Sequence, residues 1–235
     1  MKLIDNINAL YNDDNHNNHL LFITNYNGRV SITERSNADT QRIDICKADT
    51  NFYHLNQTFY KGQADITANK SSLLKDLDCD GVIFYEDNGQ QHILTIELKS
   101  GFSGEEIRSG YKQIYFSLLK LYSLLSICDD FDFSKYQITA YLACQPVKDE
   151  NEESQFLQNL LEKKTAGETL TITDQVIHNY LIKSNKEVKC KVRDNGLTKM
   201  VLKQNLSKDI LDQTITYRLF TMPHLGDHQG TLMLS

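Results

Sequence analysis

The chain has 235 residues, of which 40% are hydrophobic and 24% charged, and a net charge of −6 at pH 7. That length and apolar content suit one large α/β domain with a real core, while the acidic balance argues against a protein that holds nucleic acid through overall charge. No apolar run is long enough to cross a bilayer and no signal peptide follows Met1, so a cytoplasmic protein with no membrane partner is expected.

In chain order, residues 2–12 are expected to form a short helix presenting Leu3, Ile4, Ile7 and Leu10. A polar loop follows, then a hairpin of His19–Tyr26 and Arg29–Glu34 about Asn27-Gly28. Arg42–Ala48 reads as a strand, and the pattern from there to Asn69 fits no single element. Ser71–Leu77 is a brief helix or turn that delivers the chain to Asp80.

The most informative stretch is Asp80–Lys99. Two runs rich in Val, Ile, Leu and aromatics flank Asn88-Gly89, the dipeptide most strongly associated with two-residue hairpin turns. Such a turn sets the register: Asp87 opposite Gln90, Phe84 opposite Ile93, Val82 opposite Thr95 and Asp80 opposite Glu97, with Lys99 on the face of Glu97. Apolar residues on both faces mark an inner strand pair. Two carboxylates opposed at the end of such a pair repel one another, and require a cation, a shared proton or solvent. A divalent metal resolves the repulsion, and oxygen ligands suit Mg²⁺ or Mn²⁺.

This arrangement, Asp-Gly-Val-Ile followed by Ile-Glu-Leu-Lys-Ser-Gly, resembles the PD-(D/E)xK nuclease superfamily, which includes many restriction endonucleases and the RecB-like nucleases. The resemblance implies a restriction-endonuclease-like fold, a mixed central β-sheet flanked by helices, with extra strands and helices at both ends of the chain. It implies a Mg²⁺ (or Mn²⁺) dependent deoxyribonuclease with metal at Asp80, Glu97 and Leu98, and Lys99 assisting attack by water. RecB-like members also place a helical Gln near the site, which points to Gln113, usually followed by Tyr four residues on; here that position is Ser117. The family's additional upstream acid has no helical counterpart: Glu34 is the only glutamate before Glu86 and lies in a strand-like context. Two other Glu-x-Lys triplets, beginning at Glu162 and Glu187, lack a hairpin-paired acid.

After Lys99, Ser103-Gly104-Glu105-Glu106 is a capping box for a helix running to about Ile127, with Ile107, Tyr111, Ile114, Leu118, Leu121, Tyr122 and Leu125 as its apolar face. Tyr136–Cys144 is a strand. Strand, long helix and strand make a crossover, which places Ile138–Ala143 parallel to the Glu97 strand. Beyond it come a helix at Asn151–Lys164, a strand at Thr169–Ile172, a helix capped by Asp174 to about Ile182, a strand at Val188–Val192, a turn at Asn195-Gly196, and strands at Lys199–Gln204 and Thr214–Thr221. The basic stretch Lys183–Lys203 is either a phosphate-contacting surface or a charged edge strand. His224 to His228 lies in a flexible tail rather than a helix that would align its two histidines. Five Cys without C-x-x-C spacing read as reduced thiols.

The organisation expected is a β-rich extension over residues 1–70, a nuclease core over 71–147 and an α+β embellishment over 148–235. The partner is nucleic acid, DNA in the first instance, and a homodimer suits double-strand cleavage. The alternative is an inactive nuclease-fold subunit that binds nucleic acid or a protein partner.

Overall fold

The computed structural model of the chain describes residues 2–11, 23–35, 40–55, 78–126, 128, 131–182, 187–194 and 207–234. Over those residues it is an α/β protein with a mixed, open sheet of eight strands and five helices. The strands are β1 (Ile23–Arg35), β2 (Thr40–Leu55), β3 (Gly81–Asp87), β4 (Gln90–Leu98), β5 (Tyr136–Cys144), β6 (Glu187–Lys191), β7 (Thr214–Thr221) and β8 (Gln229–Met233). The helices are α1 (Lys2–Tyr11), α2 (Gly104–Leu125), α3 (Glu150–Thr165), α4 (Ile172–Ile182) and α5 (Lys208–Asp212). The sheet runs β1-β2-β3-β4-β5-β7-β6, and β8 adds to β2. Among the described residues, no helix is long and apolar enough to cross a membrane.

The hairpin forms in the register that a two-residue turn dictates. Asp87 lies opposite Gln90, Phe84 opposite Ile93, Val82 opposite Thr95 and Gly81 opposite Ile96. Asn88 and Gly89 take φ of 50° and 77°, the left-handed pair whose twist matches the flanking strands. Alternation sends Val82, Phe84 and Ile93 into one core, and Ile83, Tyr85, Leu94, Ile96 and Leu98 into a second on the opposite face.

The first core is closed by α2. Ser103 caps it, its hydroxyl accepting the Glu106 N–H at 3.1 Å, a contact worth about 1 kcal/mol. Ile107, Tyr111, Ile114, Leu118, Leu121 and Leu125 are all buried against the sheet, each large aliphatic contributing roughly 1.5–3 kcal/mol. The helix returns the chain to β5, which pairs parallel to β4 with Ile138 opposite Ile93 and Ala143 opposite Leu98. The crossover is thus as its length and period require.

The second core is closed by the sheet itself. The last residues of β2, Tyr53–Leu55, pair with β3, while its first half, Arg42–Cys46, pairs with β8 along the same edge. Between these halves the register with β1 jumps, from Asn27 opposite Asn51 to Arg29 opposite Cys46. Four residues of β2 face one of β1, Asp49 takes φ of 53° and Gly28 φ of 70°. A bulge of this kind bends both strands. The leading half of β2, the trailing half of β1 and β8 therefore fold over β3–β5, and Val30, Ile32, Ile43, Ile45 and Leu232 meet Ile83, Leu94 and Ile96.

Several expectations are corrected. Asn27-Gly28 is not a hairpin turn: it is the bulge inside one long strand, because a positive-φ residue serves a bulge as well as a turn. Thr169–Ile172 is not a strand. Thr171 and Asp174 form a reciprocal cap instead: Thr171 N–H donates to Asp174 Oδ2 at 3.0 Å and Asp174 N–H to Thr171 Oγ1 at 3.2 Å. The helix therefore starts at Ile172, and Asp174 is inside it. Residues 224–228 are not a tail but a turn between β7 and β8, held by Gln145, whose Oε1 accepts Gly226 N–H at 2.8 Å and whose Nε2 donates to the Asp227 carbonyl at 2.7 Å. The expected elements at Ser71–Leu77, Asn195-Gly196 and Lys199–Gln204 lie outside the described residues.

Candidate active site

The hairpin, α2 and the end of β5 converge at the head of β3. One step beyond the Gly81–Ile96 pair, the register brings Asp80 opposite Glu97. Asp80 Oδ2 accepts the Leu98 N–H at 2.7 Å. Glu97 is 2% exposed and projects toward α2. Gly110 makes room for it: a Cβ there would sit 3.3 Å from both Glu97 Cγ and Lys99 Cε, and collide with Leu142. Lys99, tied by its N–H to the Ala143 carbonyl at 2.8 Å, turns its Nζ back onto Glu97 Oε1 at 2.6 Å. The same Nζ donates to Gln113 Oε1 at 2.5 Å.

The predicted set is therefore brought together with one distinction. Asp80, Glu97, Lys99 and Gln113 form a single polar cluster, whereas the Leu98 side chain lies in the second core and only its backbone borders the site. Lys112 is exposed, and Tyr111 is fully buried with its hydroxyl donating to the Arg218 carbonyl at 2.9 Å, so neither reaches the cluster. The Cys79 thiol is fully buried, and burial pushes its pKa up to about 12. The other two Glu-x-Lys triplets serve ion pairs: Lys163 binds Asp174 at 2.6 Å, and Glu187 binds Arg218 at 2.6 Å and Lys189 at 3.5 Å. Of the basic stretch, Lys189, Lys191 and Arg193 are described and exposed, the first two on the edge strand β6.

The electrostatics of Glu97 are unusual. Burial, and then the charge of Asp80, push its carboxyl up to about 9 despite the opposing ammonium of Lys99, and Glu34 adds to the rise. Its Oε2 is buried with no hydrogen-bond partner among the described residues. Burial and Asp80 thus favour the protonated form of this carboxyl, Lys99 favours the charged form, and a bound cation would displace the proton. Asp80 and Glu97 fit a divalent cation by donor chemistry. Among the described residues, no set of three or more His, Cys, Asp or Glu side chains is arranged to hold a metal. A cation here would rest on two carboxylates and complete its shell with water or substrate oxygen, the usual manner of Mg²⁺.

Beside the cluster opens a pocket of about 550 Å³, floored by Leu98, Lys99 and Ser100. Glu34 of β1 and Gln41 of β2, cross-strand partners, form one wall, and Gln145 with the 225–228 turn forms another. These walls come from segments that local sequence signals do not connect to the motif. Glu34 was visible only as an isolated acid, and the 224–228 turn only as a pair of histidines. Further polar contacts surround the cluster, most from residues to which the sequence assigned no role. Ser117 Oγ accepts the Cys79 N–H at 2.7 Å, Lys120 Nζ meets Asp78 Oδ1 at 2.6 Å, and Gln113 Nε2 reaches the Asp78 carbonyl at 3.4 Å. The chain matches no family model, no curated protein and no solved structure.

Proposed function

We propose that the chain is a Mg²⁺- or Mn²⁺-dependent nuclease that hydrolyses phosphodiester bonds, with DNA the favoured substrate and a restriction-endonuclease-like core over residues 71–147. The observation that carries this reading is the Glu97 carboxylate, buried beside Lys99, which lines the pocket, with one oxygen on Lys99, the other without a hydrogen-bond partner among the described residues, and a second carboxylate opposite. A bound divalent cation would polarise the scissile phosphate and lower the pKa of a bound water. Asp80 and Glu97 would hold that cation, with Leu98 N–H fixing the orientation of Asp80. Lys99 presents an ammonium group where negative charge grows on the phosphate, and Gln113 keeps that group from swinging into solvent.

The test is direct. Purified protein with Mg²⁺ or Mn²⁺ cuts plasmid DNA, and Glu97→Ala or Lys99→Ala abolishes cutting while the circular dichroism spectrum stays unchanged. Absence of cutting by the unaltered protein, together with no heat of Mn²⁺ binding, overturns the proposal. One observation favours the non-catalytic alternative: Lys99 already compensates Glu97 without any cation. Its signature is DNA or protein binding with no turnover in either metal.

A further inference from the structure

We propose that Asp78, Ser117 and Lys120 are positioning residues that hold Asp80 in its cation-binding place; this rests on the nuclease reading above. Residues 113, 117 and 120 are spaced to share one face of α2, and that face is buried: Ser117 is 3% exposed and Lys120 9%. Each of them bonds to one of the two residues that precede Asp80. Lys120 takes the Asp78 carboxylate, Gln113 the Asp78 carbonyl and Ser117 the Cys79 N–H. The β3 ladder begins only at Gly81, so sheet pairing does not extend back to these two residues.

The chemistry of the contact argues for a positional role. The Lys120 and Asp78 side chains are 8% and 7% exposed. Burying an ion pair costs more desolvation than an apolar pair of the same size, so such a pair adds little stability over hydrophobic replacements. What it adds is direction, because both charges are satisfied in one geometry only. A one-residue slip of the Asp78–Asp80 segment would break all three bonds and turn Asp80 to the opposite face. The polar face of α2 thus converts a packed helix into a fixed reference for a carboxylate that lies at the very start of its strand.

Two variants separate this role from simple packing: Ser117→Ala, and Asp78→Leu combined with Lys120→Met. The first readout needs neither metal nor activity. Leu98 N–H donates to Asp80 Oδ2, so its hydrogen exchange reports whether Asp80 is in place. We expect Leu98 exchange to accelerate about tenfold while Leu94, inside the ladder, is unchanged. Mn²⁺ affinity measured by calorimetry falls about 10–100-fold, as for other groups that orient a metal ligand. Cleavage recovers as Mn²⁺ is raised, and the melting temperature of the double variant stays at or above that of the unaltered protein. Ser117→Thr, which keeps the hydroxyl, behaves as the unaltered protein does. Folded variants with unchanged Leu98 exchange and Mn²⁺ affinity overturn the proposal. If the double variant does not fold, Ser117→Ala, which removes one oxygen atom, decides by the same readouts. If the unaltered protein neither binds Mn²⁺ nor cuts DNA, the nuclease reading fails, and Leu98 exchange still decides whether the clamp sets Asp80.

Discussion

Two buried carboxylates on neighbouring parts of the sheet have opposite surroundings. Asp44 of β2 is 5% exposed and is saturated: Arg29 and Ser31 donate to it from β1, and Arg42 Nε donates to Oδ1 at 2.9 Å. Burial alone would raise its carboxyl, but the hydrogen bonds from Arg29, Ser31 and Arg42 outweigh burial and hold it below the ordinary aspartate value. Glu97 of β4 is buried as deeply, receives one ammonium, faces another acid and keeps one oxygen without a hydrogen-bond partner among the described residues. The first arrangement is complete within the chain and serves the fold. The second is incomplete among the described residues, which is the environment that the proposed cation would fill.

The sharpest way to break that contrast is to remove each acid. Glu97→Ala is expected to lower DNA cleavage by about a thousandfold or more, near the upper end of what one transition-state contact supplies, with little change in folding. Asp44→Ala is expected to do the reverse, costing about 1–3 kcal/mol in urea unfolding while Mn²⁺ affinity is unchanged. If Asp44→Ala instead abolished Mn²⁺ binding, the division into structural and functional acids would be wrong. Gly110→Ala tests whether the Glu97 environment is set by the close passage of α2. The added methyl group meets Leu142, Glu97 and Lys99, and should cost about 1–3 kcal/mol and weaken Mn²⁺ binding together.

The smallest effect is also the most discriminating. Glu97 binds its proton more tightly folded than unfolded, so the metal-free protein should lose stability as pH rises from about 4.5 toward about 9. Asp44 binds its proton less tightly when folded, so its contribution is present above pH 3.8 and is lost as pH falls through its lowered folded value. Thermal melts across pH should show Glu97→Gln flattening the alkaline decline, Asp44→Asn flattening the acid one, and saturating Mn²⁺ mimicking the first. Identical pH profiles for Glu97→Gln and the unaltered protein would remove the claim of a strained carboxylate.

Legibility in the sequence followed the range of the forces involved. The β3–β4 hairpin could be read to the residue because Asn88-Gly89 dictates its own geometry and alternation does the rest. The α2 boundaries followed from the Ser103 cap and the apolar period. Asn27-Gly28 misled because its local preference is the same in a bulge as in a turn, and only pairing with distant Cys46 and Asn51 decides between them. Ser117 stood out only as a departure from the family's Tyr and Lys120 not at all; their partners, Cys79 and Asp78, are far away in sequence. Glu34 was visible as an acid but not as a wall of the pocket, because the bend that folds β1 over the site is a tertiary event.

The late strand β8 bears on how this molecule comes into being. β2 finds this neighbour in residues made long after it, Ile43 lying beside Gly230 and Ile45 beside Leu232. Such distant pairing is slow to nucleate. The hairpin and its acids emerge from the ribosome well before that strand, and the turn that walls the pocket is also made late. The Asp80 and Glu97 side chains are therefore born early into an unfinished cleft, and its wall is completed only when β8 docks.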